Sequence, residues 1–201
     1  MTDDPNLRSE TWNIVLEQSL TGTVMDKCYY VRFHPFKYVN TNTVVRIDGC
    51  IEVRKSLAGL VKAFNDGRYD RCLMIHPVRN TFDDELECWI GGRQYPREVA
   101  TRCLDMMKHW GYDVKGYKGM FQGCFEIVRN TPTNNDINRL TFALMQYTGG
   151  EDGIDRLDQH ITSFVINTQF ADDIKIMPVN EHLVTDGNLM KWYHYEQSWW
   201  R

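Results

Sequence analysis

Between residues 96 and 166 the apolar pattern changes period three times, which restricts the folds open to this chain. Val99, Cys103, Met106 and Trp110 recur at three and four, one face of a helix over 96–110 that Pro96 opens and Gly111 closes. The next stretch, GYDVKGYKGMFQGCFEIV, is punctuated by Gly116, Gly119 and Gly123 and ends in a β-type run from Cys124 to Val128. TPTNND then supplies turn chemistry. Thr133 or Asn134 can cap a helix from Asn135, whose apolar stripe is Ile137, Leu140, Leu144 and Tyr147. After GGEDG and a short helical turn, IDRLD, the run HITSFVINT (160–168) reads as a strand, and DIKIMPV (173–179) as a second that pairs with it. The order is that of an α/β unit.

The preceding residues add layers. One short helical candidate covers 11–18, with Trp12, Val15 and Leu16 on one side. KCYYVRFH (27–34) and TVVRIDGCIEV (43–53) are rich in β-branched and aromatic residues and predict two strands able to pair as an antiparallel ribbon. A helix over 55–65 carries Leu57, Leu60, Val61 and Phe64 at helical spacing and stops at Gly67; the strand RCLMIHP (71–77) follows. Strand, helix and strand in this order suggest a crossover. No long linker, internal repeat or low-complexity run divides the chain. The expectation is one α/β (α+β) domain: an N-terminal strand elaboration (1–54), a core (55–180) and an aromatic tail (181–201).

With 201 residues and 42% hydrophobic content, the chain can bury one substantial core. No apolar run approaches the roughly 18 residues needed to cross a bilayer. The polar start MTDDPNLRSE differs from a secretory leader, so a cytoplasmic location is expected, that of the host cell if the protein is viral. A net charge of −4 gives no global field for nucleic acid. The six cysteines (Cys28, Cys50, Cys72, Cys88, Cys103 and Cys124) form no C-x-x-C pair, and several fall inside apolar runs, which predicts buried thiols.

Catalytic signatures are sparse. His160-Ile161-Thr162 matches the H-x-T motif of the 2H phosphoesterases, but no second H-x-T/S accompanies it, and a chance match on a strand is the simpler reading. There is no H-E-x-x-H and no G-x-S-x-G; Asp152, Asp155 and Asp158 lack calcium-loop spacing, and Asp155 and Asp158 read as solvated or capping residues of a helical turn, so no metal site is expected. The acidic DDELE (83–87) reads as a solvated loop, though it also suits a cation or a basic partner. Aromatic and basic residues alternate over 27–38, which suits single-stranded nucleic acid but fits sheet packing better. The glycines at 116, 119 and 123 fit a turn or bulge before an inner strand, and hint at a backbone-lined ligand loop. The tail LMKWYHYEQSWWR places Trp192, Trp199 and Trp200 where they can dock onto the body, a second copy or a partner protein.

The succession CLMIHPVRN, GYKGMFQGCFEIV and DQHITSFVI, spanning residues 72–166, resembles the ferredoxin-like core of the phage S-adenosylmethionine-cleaving enzymes. The resemblance covers about half the chain and lies in the order of elements. It implies a ferredoxin-like, mostly antiparallel sheet covered by helices, with extra N-terminal strands. In that family a tyrosine and a glutamate of the middle segment handle substrate; here Gln122 stands at the glutamate-like position, and Tyr117, or Phe121 in its place, at the tyrosine's. The missing negative charge weakens attraction for a sulfonium cation. Two functions follow as expectations. One is a non-enzymatic binding protein, such as a phage-type accessory or counter-defence factor that occupies a host protein or ligand, forming a homo-oligomer in some readings. The other is an enzyme or binder for an S-adenosylmethionine-like or nucleotide ligand, held by Tyr117, Gly119 and Gln122. The cofactor is undetermined.

Overall fold

The computed structural model describes residues 5–8, 10, 15–48, 51–76, 84, 97–110, 119–149, 158–180 and 189–192. Helix α1 (Val24–Phe33) and a 3₁₀ turn (Pro35–Lys37) precede strands β1 (Thr43–Ile47) and β2 (Ile51–Val53). Then come α2 (Ala58–Asp66), β3 (Arg71–Ile75), α3 (Arg97–His109) and β4 (Phe121–Arg129). The order closes with α4 (Pro132–Gly149), α5 (Asp158–Gln169), β5 (Ile176–Asn180) and β6 (Met190–Trp192). The fold is α/β of the α+β kind, an open, mostly antiparallel sheet covered by helices and compatible with a ferredoxin-like arrangement. Its strand order is β1-β4-β3-β5, and β2 pairs with β6 in a separate ribbon. β1 and β3 both run antiparallel to β4, so α2 is a crossover between two parallel strands that β4 separates. β5 runs parallel to β3. Of the expected N-terminal strands, β1 does extend the sheet.

Helices cover one face, burying Tyr29 and Phe33 of α1, Met107 of α3, Ile137 and Met145 of α4 and Phe164 of α5 with Leu73 and Phe121. On the other face Cys72, Met74 and Ile127 meet Phe64 of α2 and Met190 of β6. Fully buried aromatics such as Phe64 and Phe164 contribute about 1.5–3 kcal/mol each. Cys124 and Phe125 are consecutive, yet both join the second cluster, which strict alternation along a strand would forbid. The register between β3 and β4 shifts at Leu73/Met74, so β4 carries an irregular stretch there. Two backbone donors of that region are satisfied by α5: Phe121 N–H by Ser163 Oγ at 3.0 Å and Gly123 N–H by Gln159 Oε1 at 3.2 Å.

Several sequence expectations change. Residues 27–33 belong to a helix that His34 caps, because Thr23 and Asp26 form a capping box: Asp26 N–H donates to Thr23 Oγ1 at 3.1 Å and Thr23 N–H to Asp26 Oδ2 at 2.7 Å. The alternating aromatic and basic residues therefore pack around a helix, with Tyr29 and Phe33 inward, rather than on a sheet. Residues 160–166 are likewise helical, so β5 pairs with β3 and not with them. Ile161, Phe164 and Val165 fit helical spacing as well as a strand, and Ser163, Asn167 and Thr168 bond back to carbonyls one turn earlier. α4 starts earlier than expected, with Pro132 in its first turn and Thr131 Oγ1 accepting from Asn134 N–H at 3.2 Å; Asn134 is buried instead of capping. The described part of the helical candidate at 11–18 is irregular. Residues 83 and 85–87 of the acidic loop lie outside the described residues.

Candidate ligand site beside a buried ionic cluster

Charged residues interrupt four of the apolar runs: Arg32 in YYVRFH, Arg46 in TVVRI, Arg71 at the head of RCLMI and Glu126 in CFEIV. Folding brings all four together on the helix-covered face. Glu126 is almost fully buried, with Oε1 lying 3.2 Å from Arg71 Nη1 and Oε2 3.0 Å from Arg46 Nη2. Arg71 is held from above by α4, donating from Nε to Asn134 Oδ1 at 2.9 Å and from Nη2 to Asn138 Oδ1. Arg32 reaches from α1 to Asp158 at 2.6 Å, and Tyr29 donates to the same carboxylate at 3.3 Å. Asp48 lies 3.9 Å from Arg32. The Gly123 carbonyl joins the two halves, accepting from Arg32 at 2.5 Å and from Arg46 at 3.1 Å.

Glycine at 123 is what lets this cluster close. A Cβ there would stand 2.7 Å from Arg32 Nη2 and 2.8 Å from Asp158 Oδ2, inside contact distance of both partners of an ion pair. Burial is the largest influence on Glu126 and pushes its carboxyl up, yet Arg71, Arg46 and Arg32 together outweigh it and hold it below 4.5. Burial, reinforced by Arg32, pushes Arg46 down to about 10. For Arg32 burial acts downward, but Asp158 and Asp48 more than compensate.

Beside the cluster lies a cavity of about 270 Å³. α1 lends it Val31 and Arg32, the turn after α1 lends Pro35, Tyr38 and Val39, and β1 lends Val44, Val45 and Arg46. Glu126 and Val128 of β4 and Asn138 of α4 complete it, with Val15 at one side. The wall is apolar and the polar groups converge in one region, the usual make-up of a small-molecule site. Arg32 Nε and Arg46 Nε are buried donors without hydrogen-bond partners. A donor left so costs about 1–3 kcal/mol.

No protein-family model matches the chain, and no curated protein matches it. The site therefore rests on geometry. Among the described residues no three His, Cys, Asp or Glu side chains are grouped to hold a metal. No helix among them is long and apolar enough to cross a membrane.

The residues singled out from sequence lie elsewhere. Gly119 has φ +103°, a left-handed conformation that explains glycine two residues before β4, and its carbonyl accepts from Asn167 at 3.3 Å. Gln122 pairs with Met74 in β4; it is buried, and its Oε1 has no partner. Neither lines the cavity. Tyr117, Trp199 and Trp200 lie outside the described residues, and Trp192 takes part in β6 opposite Ile51. His160 is buried on α5, on a helix rather than a strand. Asp158, read from sequence as solvated or capping, is instead an inward ion-pair partner because α1 delivers Arg32 to it. The missed signal was the set of lone charges within apolar runs, each of which burial makes expensive unless paired.

Proposed function

We propose that this chain is a non-enzymatic binding protein whose seat for a small molecule is the cavity between α1, β1, β4 and α4. The observation that carries the reading is a preformed apolar wall meeting two guanidiniums that surrounding carboxylates and the Gly123 carbonyl fix in place. Groups held this way lose little freedom on binding. Binding is favoured over acid–base chemistry because both oxygens of Glu126 face guanidiniums and its carboxyl is held low, which makes it a poor proton acceptor near neutrality. The wider reading is a phage-type accessory or counter-defence factor that works in the host cytoplasm by occupying a ligand or a host protein. The tail with Trp192, Trp199 and Trp200 would serve the protein partner or a second copy.

A second reading, an S-adenosylmethionine-like or nucleotide ligand near Gly119 and Gln122, draws support from the buried, unpartnered Oε1 of Gln122. Ligand-observed NMR with a fragment mixture that includes S-adenosylmethionine separates the two. Val44→Phe fills the cavity and should abolish the signals of bound fragments, whereas Gln122→Ala should leave them. Loss with Gln122→Ala alone would favour the second reading. Absence of any fragment sensitive to Val44→Phe would overturn the first.

A further inference from the structure

We infer that the cavity takes a small neutral aliphatic molecule, an alkyl body carrying one uncharged hydroxyl or carbonyl group. The inference rests on the reading of this cavity as a ligand seat and adds the class of ligand. Charge comes first, and it is already balanced within the protein. Arg32 is matched by Asp158 and Asp48, and Arg46 shares Glu126 with Arg71, so three guanidiniums meet three carboxylates. The unpartnered Nε donors of Arg32 and Arg46 are closed off inside this cluster, as is Oε1 of Glu126, which lies 3.2 Å from Arg71 Nη1. Around Tyr38, Glu17 and Lys37 act on the hydroxyl with opposite signs. A charged ligand would give up its hydration and meet no uncommitted counter-charge in the described lining, a penalty that an uncharged one avoids.

What the cavity presents to a ligand is hydrocarbon. Val15, Val31, Pro35, Val39, Val44 and Val128 form most of the wall, and none brings a side-chain donor or acceptor, which disfavours sugars and favours an alkyl group. Val15 and Val39 are each 40% exposed, apolar area that an alkyl body would remove from water. Two uncharged polar side chains also line the space. Asn138 Oδ1 accepts from Arg71, which leaves Nδ2 as a donor, and the Tyr38 hydroxyl can donate or accept. A single uncharged oxygen on the ligand suits either. Size sets the body. A dry apolar cavity of about 150 Å³ admits benzene, so a volume of about 270 Å³ suits roughly six to nine heavy atoms.

The test follows the methyl resonances of Val31, Val39, Val44 and Val128 in the full chain at neutral pH, titrated with straight-chain alkanols from propan-1-ol to octan-1-ol and with hexanoate and hexylamine. Each added methylene should tighten binding about fourfold, equivalent to about 0.8 kcal/mol, until the body fills the cavity. Hexan-1-ol should bind at least about tenfold more tightly than hexanoate or hexylamine, a difference of about 1.4 kcal/mol. Affinity that ignores chain length, or a charged analogue that moves the same resonances and binds within that factor of hexan-1-ol, would overturn the neutral ligand in the wild-type protein. Val44→Phe, once shown by circular dichroism to fold, should remove the alkanol-induced shifts; shifts that persist would place the binding elsewhere and overturn the inference. If fragments sensitive to Val44→Phe exist but no alkanol is among the binders, the ligand class fails and the cavity reading stands. If no such fragment exists, both fail.

Discussion

Glu126 is buried between the guanidiniums of Arg71 and Arg46, with the charge of Arg32 acting on it as well, and its charge is the one the cluster can least lose. Glu126→Gln keeps the shape but leaves Arg71 and Arg46 without their carboxylate, so it should cost about 3–5 kcal/mol in urea unfolding. The same residue gives the protein an acid limit. A carboxyl held below 4.5 when folded binds fewer protons than in the unfolded chain, so its stabilising contribution is complete above about 4.5 and is lost as pH falls through the folded value. Asp48 has the opposite sign, since burial raises its carboxyl despite Arg32 and Arg46. Asp48→Asn should therefore leave the acid limb of the stability profile in place, whereas Glu126→Gln should flatten it. Gly123 is as constrained as the charges. Gly123→Ala forces the Arg32–Asp158 pair apart and should cost about 1–3 kcal/mol, read as a lowered melting temperature. Nothing in the sequence around GMFQGCF showed that an ion pair would rest on this glycine, since its partners stand 91 and 35 positions away by subtraction from Arg32 and Asp158.

Elements with a single strong local signal were legible, and those with two competing signals were not. α2, α3, β3 and β4 follow directly from spacing and composition. α1 was misread because β-branched and aromatic residues outnumber helix formers in KCYYVRFH, while the deciding pair, Thr23 and Asp26, stands largely before the run. α5 was misread because HITSFVI satisfies both periods, and its burial against α4 and β4, a tertiary fact, decides. The cap is open to direct measurement: Thr23→Ala should cost about 1 kcal/mol, and more than Thr41→Ala in the irregular segment before β1. Since α1 carries Arg32, Thr23→Ala should also weaken ligand binding in the cavity. Unchanged stability in Thr23→Ala would remove the capping box as the reason that this segment is helical.

At the scale of the molecule, the thiols report whether the two faces of the sheet stay closed. Cys72, Cys103 and Cys124 are buried as the apolar runs implied, and Cys28 is exposed on α1, contrary to that expectation. Burial pushes Cys72 and Cys103 up to about 12, so few thiolates form there near neutrality. An alkylating reagent should therefore modify Cys28 first, and Cys72, Cys103 and Cys124 only as the fold opens; mass spectrometry of a labelling time course checks the order. Fast native labelling of the buried three would contradict the packing.

The placement of β4 between β1 and β3 has a cost in time. β1 and β3 are made early, yet neither touches the other in the sheet, and both wait for a strand that begins at Phe121. At about 5–20 residues per second of synthesis, the wait after β3 lasts on the order of seconds. Throughout it Cys72, Leu73 and Met74 form a sticky edge with no neighbour along the β4 side. A nascent chain halted at residue 118 should accordingly bind chaperones or aggregate, and one halted well beyond Arg129 should do so less. Pulldown from a translation extract would show it. Equal chaperone occupancy at both lengths would mean that β1 and β3 are sheltered during synthesis by something other than their native partner.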